Sequence, residues 1–239
     1  MKRLYIFIFL LINSSVFGQN WQWIKQMLQS PTPNLDNEIS ITDVKTVSSG
    51  NLYVVGIFKS NFTIDGINYV GNPINTYKNV FIIKMNSNGK TLWVNIIKGD
   101  NTVHADAMDF DNSENIYISG LFLGTCNWGG SCQLTSTGDN DAFIAKYDSS
   151  GTIQWAIPSA YGTNNERTTA LTIGNDGKIY VAGISKSSSF TVGDGSNGDI
   201  YTNTDGITDL FLACYQSNGT YSWSEQIPGD NDKSIFRAI

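Results

Sequence analysis

The chain has 239 residues, 41% hydrophobic, 12% aromatic and only 15% charged, which is enough apolar content for a sizeable core and too much for a disordered tail. Acidic residues outnumber basic ones 21 to 15, for a formal charge of -6, so there is no basic field for phosphates and no nucleic-acid partner is expected. A single histidine, His104, and three cysteines leave little material for a zinc, haem or histidine-based catalytic centre.

Met1-Lys2-Arg3 is a short positive segment, Leu4 to Ile12 an apolar run, and Val16-Phe17-Gly18 places compact residues before Gln19. That order predicts a signal peptide over residues 1–18, cleaved before Gln19, and a secreted or cell-surface protein. The apolar run is well short of the roughly 20 residues that cross a bilayer, and no later segment is long enough, so no transmembrane segment is expected.

The rest, residues 19–239, repeats itself. Asn51-Leu52-Tyr53-Val54-Val55-Gly56-Ile57-Phe58 matches Asn115-Ile116-Tyr117-Ile118-Ser119-Gly120-Leu121-Phe122 and Lys178-Ile179-Tyr180-Val181-Ala182-Gly183-Ile184-Ser185. Val80-Phe81-Ile82-Ile83-Lys84-Met85 recurs as Ala142-Phe143-Ile144-Ala145-Lys146-Tyr147 and Leu210-Phe211-Leu212-Ala213-Cys214-Tyr215. Each copy runs into a tight turn ending at Gly89, Gly151 or Gly219, then into a strand carrying Trp93, Trp155 or Trp223. Each repeat therefore reads as four strands in meander order, joined by Asx-Gly hairpin turns. The second and third strands are apolar at nearly every position and read as buried on both faces. The fourth alternates with polar residues and reads as an exposed edge strand.

Repeated four-stranded units predict an all-β chain, a β-propeller. Residues 21–28 read as a lone fourth strand that would close the ring, 39–97 as the first blade, 104–157 as the second and 166–227 as the third. Residues 233–239 read as the start of a fourth, with Ala238 in register with Ala107 and Ala170. A propeller usually has four to eight blades, so the expectation is the front part of a longer protein. If the chain ends at Ile239, closure would fall to self-association.

The motif is fullest in Asp141-Ala142-Phe143-Ile144-Ala145-Lys146-Tyr147-Asp148-Ser149-Ser150-Gly151-Thr152-Ile153-Gln154-Trp155. With the Gly-x-x-Tyr-Val-x-Gly element before it, this resembles the SBBP-type β-propeller repeat of secreted bacterial proteins. The resemblance covers about residues 21 to 239. It implies an exported, often surface-located protein, of the kind frequently carrying a sorting domain for type IX secretion. It transfers no catalytic residues.

Connections between strands two and three, about 59–78, 123–140 and 186–208, are long, and each contains a small hairpin. Trp128 in the second, with Tyr69, Tyr77, Tyr161 and Tyr201 in the same family of loops, forms the candidate platform for a glycan or protein ligand. The first reading, however, packs these rings under their own loops, because large propeller loops need local cores. Cys126 and Cys132 close a short loop and are expected to form a disulfide in an exported chain, although simple hairpin pairing sets them slightly out of line. Cys214 reads as an unpaired, partly buried thiol. Asp109, Asp111, Ser113 and Asn115 offer oxygens at alternate positions, a spacing calcium can use. They coincide with the hairpin turn of the other repeats, so a solvated turn is the first reading, calcium the alternative, and no other cofactor is expected. Gly193-Asp194-Gly195-Ser196-Asn197-Gly198 fits a dinucleotide pattern but lacks the strand-to-helix context, and reads as a hairpin tip.

The sequence therefore points first to a non-catalytic secreted or cell-surface scaffold that binds protein or glycan through its loops. The alternative is a propeller enzyme. One form is a carbohydrate-active hydrolase or lyase using paired carboxylates, with Asp43 and Asp106 taken as equivalent first-strand positions. The other is a quinoprotein-like dehydrogenase, suggested by the Asp-x-x-x-Gly-x-x-x-Trp turn.

Overall fold

The structure, a computed structural model of the full chain, describes residues 5–7, 23–29, 38–74 and 76–229. The cleavage point at Gln19, Trp21 and the start of a fourth repeat at 233–239 lie outside the described residues. All regular structure described is β, in four antiparallel sheets. No helix among the described residues is long and apolar enough to cross a membrane.

Two short strands come first, β1 (Tyr5–Phe7) and β2 (Lys25–Gln29). The first unit follows: β3 (Ile39–Thr46), β4 (Leu52–Phe58), the hairpin β5 (Asn61–Ile64) and β6 (Ile67–Val70), then β7 (Asn79–Met85) and β8 (Thr91–Gly99). The second holds β9 (Val103–Phe110), β10 (Ile116–Phe122), the hairpin β11 (Thr125–Gly129) and β12 (Cys132–Thr135), β13 (Asp141–Tyr147) and β14 (Ile153–Gly162). The third holds β15 (Glu166–Ile173), β16 (Ile179–Ser185), the hairpin β17 (Ser189–Gly193) and β18 (Gly198–Thr202), β19 (Asp209–Tyr215) and β20 (Tyr221–Ile227). Leaving out the hairpins, each unit is a four-stranded antiparallel meander.

The apolar second and third strands have the predicted burial: every residue of β4 is buried, and all but one of β7 and of β13. Strand alternation explains why both faces are apolar. Tyr53, Val55 and Ile57 of β4 join a core shared with the second unit, while Leu52, Val54 and Phe58 join one shared with β2 and the first hairpin. A third core lies between units two and three. The units thus stack sheet on sheet, and every core is an interface.

A β-bulge interrupts each first strand at one place. Pairing shifts between Ile41 and Asp43, between Ala105 and Ala107, and between Thr168 and Ala170, so Thr42, Asp106 and Thr169 are the extra residues. Asp106 is therefore equivalent to Thr42, and Asp43 to Ala107 and Ala170, which corrects the expected match of Asp43 with Asp106. Opposite the bulges stand Gly56, Gly120 and Gly183, where a methyl group would collide with the facing backbone carbonyl.

Of the fourth strands, whose alternation predicted exposed edges, β20 is the edge of its sheet among the described residues, but β8 and β14 are not. The hairpin of each unit adds to the outer strand of the unit before it: β11 pairs with β8 and β17 with β14. In the same way β5 pairs with β2, which gives β2 the position of a fourth strand. Its other edge pairs with β1, in the slot that β7 fills beside β8.

Candidate binding surface

At each interface the outer strand of one unit meets the last tight turn of the next. Trp23 packs against Gly89, Trp93 against Gly151 and Trp155 against Gly219, glycines whose φ values of 75°, 87° and 88° leave a bare backbone for the indole. The Trp23 indole N–H donates to the Ser87 carbonyl at 2.9 Å. Behind each ring, Lys84 and Lys146 lie over Tyr53 and Tyr117 at 5.1 and 4.9 Å and reach the Ser149 and Ser217 carbonyls of the following turn. Trp223 has no following turn among the described residues and is 40% exposed.

The three hairpins turn equivalent positions inward: Phe62 and Ile64, Cys126 and Trp128, Phe190 and Val192, all buried. Their tips differ. At the first, Asp65 pairs with Lys25, which also reaches the Gly89 carbonyl at 3.2 Å. At the third, Asp194 accepts from the Tyr221 N–H at 2.8 Å, and the Tyr221 hydroxyl donates to Asp199. At the second the tip is Gly129-Gly130-Ser131, and Ile153 stands where Tyr221 does. A cleft of about 440 Å³ opens there, and no residue lining it is charged.

Trp128 lines this cleft but is no exposed platform: it is 2% exposed, with its ring 4.2 Å from Phe143 and 6.0 Å from Phe122. It occupies the inward column of Ile64 and Val192, and its indole N–H is buried without an acceptor. The tyrosines do not converge with it. Tyr69 stacks on Phe62 at 5.2 Å and Tyr201 packs on Phe190 at 5.6 Å, each half-buried over its own hairpin. Tyr161 lies on β14 opposite Thr191, and Tyr77 precedes β7; both are half-buried.

The expected disulfide is absent: Cys126, Cys132 and Cys214 are free thiols. Cys126 faces Leu134 while Cys132 faces Gly129, because the hairpin register shifts between them, so the two are never cross-strand partners. Cys126 is buried and Cys132 half-buried beside the cleft, and burial pushes both thiols up from their ordinary pKa. The calcium set is also divided. Asp111 accepts from the Ser113 and Asn115 N–H groups, the Asn115 amide and the Tyr117 hydroxyl, closing its own turn. Asp109 faces the neighbouring first strands, accepting from Lys45 at 2.9 Å and the Ile173 N–H at 2.8 Å. No cluster of metal-ligating side chains occurs among the described residues.

The other first-strand carboxylates are engaged likewise. Asp43 accepts from the Met108 N–H at 3.0 Å. Asp106 takes both arms of Arg167; burial alone would raise its carboxyl, but the nearby His104 ring and the Arg167 guanidinium hold it below the usual range. Asp141 and Glu166, 1% and 0% exposed, are the reverse case. Burial raises both, and the charge of Asp141 raises Glu166 further against the hydrogen bond from Ser185. The Gly193–Gly198 segment is the expected hairpin tip, with Asp194 accepting the Ser196 and Asn197 N–H groups.

No protein-family model matches the chain. It is similar to a regulatory protein, FlaEY of Caulobacter vibrioides, at 23% identity over 184 residues, which cover 75% of this chain and 18% of that protein. The chain thus spans less than a fifth of the length of that relative.

Proposed function

We propose that the chain is the repeat region of an exported, non-catalytic β-propeller scaffold that binds a protein or a glycan through the surface its hairpins build. The propeller reading is supported by units that stack face to face with adjacent first strands, and by β2 in the place of a lone fourth strand. Further units would stand between β20 and β2 in a closed ring. The segment 1–18 and the SBBP-type resemblance support export to the cell surface, by a type IX route where a sorting domain follows.

The observation that carries the binding reading is the uncharged cleft at the second interface, held open on a rigid scaffold by a glycine tip. The first-strand carboxylates favour structure over acid–base work, since Asp43, Asp106 and Asp109 are all held by backbone or basic partners. Expressed as a full chain in a Gram-negative host, the protein is expected outside the inner membrane with Gln19 as its first residue by mass spectrometry. An intact Met1 on cytoplasmic protein would overturn the export reading.

A further inference from the structure

We propose that the cleft between Asn95, the Gly129–Ser131 tip and Gln154 is a binding site for a neutral sugar, one or two pyranose rings in size. This names the ligand class of the scaffold reading above and rests on it.

The three interfaces are internal controls for one another. All three bring together an outer strand, a hairpin tip and the tight turn that opens a fourth strand. At two of them a contact bridges the hairpin tip and the neighbouring strand, Lys25 with Asp65 and Asp194 with the Tyr221 N–H. At the second, glycines stand in place of the acidic tip and Ile153 in place of Tyr221. The space left, about 440 Å³, lies within the roughly 300–1,000 Å³ of small-molecule sites.

The lining selects the ligand. With no charged residue there, nothing compensates a phosphate, a carboxylate or a metal ion, each of which is costly to desolvate unpaired. The amides of Asn95 and Gln154 already donate to the Gly151 carbonyl and to Asp148, and the Thr152 hydroxyl meets Ser150, so what the cleft offers are the two carboxamide oxygens and the Ser131 hydroxyl, alongside the apolar surface of Ile153. A pyranose has the same mixture, a rim of hydroxyls around C–H faces.

Cys132 lines the cleft and is the only one of the three thiols that is not buried, so it reports occupancy. The test treats the folded full chain with N-ethylmaleimide, with and without methyl glycosides of glucose, galactose, mannose and N-acetylglucosamine. Without sugar, Cys132 alone is expected to react, and after denaturation all three cysteines. With at least one glycoside at about 10 mM, labelling of Cys132 is expected to slow about sixfold, as a Kd near 2 mM requires. The filling variant Ser131→Trp and the truncation Gln154→Ala are expected to abolish saturation-transfer NMR signals from that glycoside while the melting temperature stays unchanged; glucuronate is expected to give none.

No protection by any glycoside overturns the proposal, as do protection by tetraglycine alone, which would assign the cleft to a polypeptide, and binding that survives both variants. A native Cys132 that does not react overturns it too, since the cleft would then be closed. Failure here leaves the export result at Gln19 untouched, and failure of export leaves the sugar result untouched, so the two readings are separable.

Discussion

Glu166 stands in the column of Ile39 and Val103, and Ser185 in that of Phe58 and Phe122, so one unit has exchanged an apolar pair for a buried carboxylate and a hydroxyl. The Ser185 hydroxyl donates to Glu166 at 2.7 Å, but the second carboxylate oxygen has no partner. A carboxyl raised in the folded state binds its proton more tightly there than in the unfolded chain. Its contribution is therefore fully present below the ordinary glutamate value of 4.5 and is lost as pH rises through the folded value. Glu166→Gln, which cannot ionise, is expected to raise the urea midpoint at about pH 8, with the gain closing by about pH 4. An unchanged midpoint at the higher pH would contradict this. The exchange was visible in the aligned repeats. So was the inward place of Trp128, which follows from alternation once Thr125-Cys126-Asn127-Trp128 is set beside Asn61-Phe62-Thr63-Ile64.

At the scale of the element, the meander, the turns and the doubly buried second and third strands were all legible, because each has a local signal in glycine placement and apolar runs. The bulges were not. They insert one residue into an unremarkable strand, and a one-residue slip is what put Asp43 in the wrong column. Their partners are the conspicuous glycines. A methyl group at Gly183 would enter the Phe211 ring and the Arg167 carbonyl. Gly183→Ala is expected to cost about 1–3 kcal/mol and to lower the melting temperature by several degrees, measured by circular dichroism. An unchanged transition would mean that the bulge can relax. Docking of the hairpins on the preceding unit also escaped the sequence. Pairing between segments such as β8 and β11 is fixed by tertiary approach, and the polar alternation of β8 and β14 reflects exposed faces rather than free edges.

For the whole molecule, each unit completes its predecessor twice, once by adding a hairpin to its outer strand and once by laying a glycine turn on its tryptophan. The repeat spacing made the tryptophans legible as interface residues, but not the asymmetry that, among the described residues, leaves Trp223 without a covering turn while Trp93 and Trp155 have one. That asymmetry offers the most direct test of the stacked arrangement, in which stability resides between units. The measurement is urea unfolding of Trp93→Ala, Trp155→Ala and Trp223→Ala under identical conditions. Trp93→Ala and Trp155→Ala, half-buried rings packed on the following turn, are expected to lose about 1–3 kcal/mol, and Trp223→Ala less than about 1 kcal/mol. Equal losses at all three positions would contradict the account, because the tryptophans would then serve their own sheets rather than the next unit.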